Sequence, residues 1–181
     1  MFAAISRFGP LLAGAAAALA VLAGCGVTND VFPETDRSSR PQGLDPASTQ
    51  IELRFTDSPV PPEVNRSYVI LMEDATARVV VRSYDEVLHD ERIDLGSDRW
   101  ARFVARVSAD VDGLPDSGAD SEGCGGGEGT ELTVSAEGAV WFHIDIDDCG
   151  RGRAAVAAEA VTELMAPVYV AVDLETLIRT T

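Results

Sequence analysis

The stretch Ser67–Ser83, SYVILMEDATARVVVRS, decides the fold class. Ser67–Met72 and Arg78–Ser83 are rich in β-branched and aromatic residues, and Glu73-Asp74-Ala75 between them is polar and turn-like, so the two runs predict a β-hairpin. Upstream, Ile51, Leu53 and Phe55 alternate with Glu52 and Arg54, the two-residue period of a strand with one buried face. That strand breaks at Asp57-Ser58-Pro59-Val60-Pro61-Pro62, where the proline run favours an extended connector. Downstream, Val87–Ile93 predicts a short edge strand. Ser97 reads as a helix N-cap with Asp98 in the first turn. Trp100, Phe103, Val104, Val107 and Val111 keep one helical face apolar until Gly113 and Pro115 end the helix.

After the glycine-rich loop 116–129, Leu132 and Val134 open another strand, Glu137-Gly138 turns it, and Ala139–Ile146 returns. Alternation on the return strand puts Val140, Phe142, Ile144 and Ile146 on one face and Trp141, His143 and Asp145 on the other. A second helix carries Val156, Ala160, Val161 and Leu164 on one side and is expected to stop at Pro167, with a short terminal helix over Asp173–Ile178. The order is strands, helix, hairpin, helix. It predicts an α+β fold, an antiparallel sheet with helices on one face, in which a strand–strand–helix unit recurs over 67–112 and 130–166.

The first 24 residues do not belong to that domain. They carry one charge, Arg7, before the apolar run Leu11–Val21, which is shorter than the about 20 residues a membrane-spanning helix needs. Small residues follow, as at the cleavage point of an export signal. There stands Leu22-Ala23-Gly24-Cys25, which resembles the lipobox of bacterial lipoproteins. The resemblance implies diacylglycerol on the Cys25 sulfur, cleavage after Gly24, and an extracytoplasmic protein held to the cell membrane through that lipid. Residues 25–50, with scattered charges, prolines and no apolar period, read as a flexible tether, and 51–181 as one globular domain.

The formal net charge is −16, and loss of Arg7 with the signal would make it about −17. A surface this acidic excludes nucleic acid as a partner, because phosphate binding needs a basic patch. All 14 basic residues are arginine, which fits a GC-rich genome and removes any lysine-dependent mechanism. With Cys25 lipidated, Cys124 and Cys149 form an even pair in an oxidising compartment, which predicts a disulfide. Its loop of roughly 25 residues implies a contribution on the order of 3 kcal/mol.

Motifs for chemistry are sparse. There is no G-x-S-x-G elbow, no phosphate loop, and, with only His89 and His143, no usual zinc pattern. No cofactor or metal site is expected. Asp145-Ile146-Asp147-Asp148, with Glu122 or Glu128, offers oxygen ligands but lacks the spacing of a calcium loop, so it reads as a solvated acidic turn. The candidate binding face is the one bearing Trp141, His143 and Asp145, with Arg78 and Arg82 from the neighbouring hairpin, since tryptophan and arginine are enriched at interface hot spots. Coverage of Trp141 by the terminal segment Val168–Ile178 is the competing expectation.

The phrase Asp57–Pro62 followed by Arg66-Ser67-Tyr68, with the later cysteine pair, resembles uncharacterised secreted proteins of high-GC bacteria. The strand–strand–helix repeat is also similar to small secreted protease inhibitors. The functional expectation is a binding or inhibitor-like module of the cell envelope, acting on an envelope protein. A carboxylate-dependent envelope hydrolase and a structural or accessory lipoprotein are the alternatives.

Overall fold

Strand β1, Thr49–Thr56, lies inside the sheet, and its sequence shows why: Thr49, Ile51 and Leu53 are buried in alternation with Gln50, Glu52 and Arg54. The computed structural model describes residues 43–115, 126–148 and 152–179. After β1 come β2 (Ser67–Glu73), β3 (Thr76–Ser83), β4 (Glu86–Asp94), α1 (Ser97–Asp110) with a short 3-10 turn at Val111–Gly113, β5 (Glu128–Ala136), β6 (Ala139–Asp148), α2 (Gly152–Ala171) and α3 (Leu174–Arg179). The six strands form one antiparallel sheet in the order β4-β3-β2-β1-β5-β6. The fold is therefore α+β, as the strand and helix periods predict.

The core fills one face of this sheet. Ile51 and Leu53 sit between Met72 and Ile70 on one side and Val134 and Leu132 on the other. Above them pack Trp100, Phe103, Val104 and Val107 of α1 and Ala157, Val161, Leu164, Met165 and Val168 of α2. Each fully buried aliphatic side chain contributes about 1.5–3 kcal/mol, so this layer is the principal source of stability. The outermost strands β4 and β6 are studded with charges (Glu86, Asp90, Glu91, Arg92 on one; Asp145, Asp147, Asp148 on the other), which discourages edge-to-edge pairing.

Four sequence expectations are corrected. The folded part begins before residue 51. Asp45 makes a turn with Ala47 and Ser48, Leu44 packs on the core, and the Trp100 indole donates to the Pro46 carbonyl at 2.9 Å. A buried indole N–H needs a partner, and this one draws residues 44–48 onto α1. Helix α1 is capped by Gly96, not Ser97: Gly96 has φ 75°, which favours glycine, and no side chain bonds the helix end. Helix α2 runs through Pro167. The proline removes only the bond to the Glu163 carbonyl, and both residues are exposed, so water replaces that bond while Leu164, Met165 and Val168 hold the helix on the sheet. The expected repeat is unequal: three strands precede α1 within 67–112, whereas two precede α2. Cys25, Cys124 and Cys149 lie outside the described residues.

Candidate functional site

The expected binding face does not hold Trp141. Residues Val134 and Phe142 are partners across β5 and β6, but the next pair is Ser135 with Val140, so Trp141 is an extra residue in a β-bulge. The bulge reverses the alternation at that point. Trp141 turns inward and is 7% exposed, while Val140, expected inside, is 53% exposed. The indole is core packing rather than a partner anchor, and it is bulge geometry that buries it.

His143 and Asp145 keep their place on the face opposite the helices. His143 Nδ1 lies 3.1 Å from the Thr133 hydroxyl and 3.9 Å from Glu131. Arg78 and Arg82 share that face but stand on β3, separated from β6 by β2, β1 and β5. Four steps of about 4.8 Å put about 19 Å between them, so the five expected residues form no single site. Arg78 instead grips Asp90 of β4 through two bonds of 2.9 and 2.7 Å, which hold the Asp90 carboxyl below its ordinary range. Arg54 pairs with Glu52 and Glu131 in the centre. Water and salt screen exposed pairs of this kind, so they add little to stability. The Asp145–Asp148 run is split by the strand period: Asp145 and Asp147 point to the open face and Asp148 to the covered one, opposite Glu128. Among the described residues no group of three or more acidic, histidine or cysteine side chains is arranged to hold a metal.

A more specific arrangement lies where β1 ends. The connector 57–66 is fastened along its whole length. The Arg66 amide donates to Asp57 Oδ2 (2.8 Å), and the Asp57 amide donates to the Ser67 hydroxyl (3.0 Å). Asn65, 2% exposed, donates its side-chain amide to the Ser58 carbonyl and accepts the Tyr84 amide. The Ser83 hydroxyl donates to the Pro62 carbonyl at 2.7 Å, and the Tyr84 hydroxyl to the Val60 carbonyl. The Arg66 guanidinium donates to the carbonyls of Glu63, Asn65 and, from the last helix, Ile178 (3.2 Å). Three prolines add rigidity, since each fixes φ. On this fastened frame Val64 is 60% exposed, and the β3–β4 hairpin bonded to it through Ser83 and Tyr84 carries Tyr84 and Val87, 51% and 47% exposed.

On the helix side of the sheet, where β1 ends and β2 and β5 begin, lies a cavity of about 270 Å³. Phe55 and Tyr68 stack at 5.0 Å along one wall, and Tyr169 of α2 meets Tyr68 edge-on at 6.3 Å. The Tyr68 hydroxyl donates to that of Tyr169, and burial pushes both phenols upward, beyond the usual tyrosine range. Glu128 is exposed to solvent on one side, yet its carboxyl is also raised, first by partial desolvation and then by the nearby Asp57 and Asp148 carboxylates.

Comparison of the chain with protein-family models, with curated proteins and with solved structures returned no match in any of the three. Asn65, Thr130 and Tyr169 stand in no pattern of the sequence, and Arg66, Tyr68 and Glu128 stand in patterns that assign them no such role. The available signal was the proline-rich phrase 57–62 running directly into Arg66-Ser67-Tyr68.

Proposed function

We propose that this chain is a lipid-anchored extracytoplasmic binding module, inhibitor-like in mode, which engages an envelope protein through the connector 57–66 and the adjoining hairpin tip. The observation that carries the reading is the pairing of a fully fastened ten-residue connector with exposed apolar side chains at Val64, Tyr84 and Val87. Ordering a loop costs about 1–2 kcal/mol per residue. When that cost is met during folding it is not charged to association, so a pre-ordered loop binds more tightly than a floppy one with the same contacts. Apolar groups left in water on such a frame gain free energy when an apolar groove covers them. The lipobox supports anchoring through Cys25, and the acidic surface keeps the domain off anionic lipid.

The test is in-cell crosslinking of the anchored protein followed by recovery of the captured species. Val64→Asp should abolish capture at unchanged melting temperature, while Val170→Asp on the exposed side of α2 should retain it. Equal capture by wild type and Val64→Asp, or equal loss in both variants, contradicts the proposal.

A further inference from the structure

The cavity on the helix side is bordered by small side chains from α2. Helix α2 presents Ala155 and Ala158 to the end of the sheet where β1 stops and β5 starts, and they line the cavity opposite Phe55 and Tyr68. At about 270 Å³ the cavity is at the small end of the range of small-molecule sites.

The chemistry of the lining is one-sided. Three carboxylate residues, Glu128, Asp148 and Glu159, border the cavity, and among its described lining residues none is basic. The aromatic faces of Phe55, Tyr68 and Tyr169 carry negative charge density that attracts cations. Thr130 adds an independent sign. It is 8% exposed, it lines the cavity, and its hydroxyl has no hydrogen-bond partner among the described residues. The hydroxyl is not sealed among packed atoms, so it is open to a group that enters the cavity.

We propose that this cavity binds a small organic cation, a primary ammonium or guanidinium on a short arm, with the charge at Glu128 and the arm against Phe55 and Tyr68. Thr130 accepts a hydrogen bond from the cationic N–H. The site is separate from the exposed connector surface, and neither reading depends on the other.

Calorimetric titration of the full chain with tyramine and agmatine tests it, with neutral 4-ethylphenol and anionic 4-hydroxyphenylacetate as controls. The expected result is saturable one-site binding of the amines, at least about tenfold tighter than 4-ethylphenol, with no binding of the acid. Glu128→Gln should weaken tyramine binding by about tenfold while its melting temperature stays equal to or above wild type, so that lost binding is not lost folding. Thr130→Val should weaken the amines and leave 4-ethylphenol unaffected. Blocked arginine, N-acetyl-arginine methylamide, separates two sources of the cation. Tighter binding than agmatine assigns it to a partner protein's side chain, and weaker binding to a free amine. Equal affinity for tyramine and 4-ethylphenol, no saturable binding of either amine, or unchanged binding in Glu128→Gln overturns the proposal.

Discussion

Trp141 and Val140 exchange places because of one added residue in β6, and the exchange has a measurable consequence. Trp141→Ala removes a buried indole and should destabilise the fold by about 3–5 kcal/mol in chemical denaturation. Val140→Ala touches an exposed side chain and should change stability by no more than about 0.5 kcal/mol. The opposite ranking would mean that the strand lacks the bulge. Glu128 gives a second test at this scale. Its folded-state carboxyl is held above the ordinary range by partial desolvation and two nearby carboxylates. A raised carboxyl favours the folded state while protonated, and that contribution is lost as pH rises through the carboxylate range. Glu128→Gln should therefore raise the melting temperature at neutral pH, and the gain over wild type should shrink to nothing below a pH of about 4. A gain that persists unchanged in acid would assign the effect to packing instead.

Elements follow local rules wherever those rules are complete. The β2–β3 and β5–β6 hairpins were legible because period-two alternation brackets short turns. At Asp74-Ala75 both residues have positive φ (48° and 59°), as a tight two-residue turn between twisted strands requires. Alanine pays for that conformation with strain, so Ala75→Gly should stabilise the protein by about 1 kcal/mol, read as a shift in denaturation midpoint. A destabilisation would show that the partly buried Ala75 methyl outweighs the backbone term. Helix α1 was legible from its apolar stripe, but its cap was misplaced by one residue, because Ser97 has the right side chain and Gly96 the right backbone. The bulge in β6 was not legible. Val140, Phe142, Ile144 and Ile146 alternate without a flaw, and nothing local marks the slip, which comes from packing Trp141 and Phe142 under the helices. Pro167 misled for a related reason: burial of its neighbours outweighs the one backbone bond it deletes.

At the scale of the whole molecule, the connector 57–66 is held by parts of the chain that only the finished fold brings together. Ser67 comes from the start of β2, Ser83 and Tyr84 from the β3–β4 turn, and Ile178 from the last helix, 112 residues beyond Arg66. No sequence period encodes contacts of that separation, which is why the candidate surface was read onto Trp141 and not onto the proline-rich phrase. The arrangement also ties the end of the chain to the base of the proposed binding surface, so a change at Arg66 should loosen both. The central claim is that this surface is ordered before any partner arrives. Amide hydrogen exchange on the free, full-length protein tests it most directly. The amides of Val64, Asn65 and Arg66, which donate to the Pro61 carbonyl and to Asp57, should exchange orders of magnitude more slowly than unstructured chain, and Arg66→Ala should release them. Exchange of these three amides at unstructured rates in the wild-type protein would contradict the account.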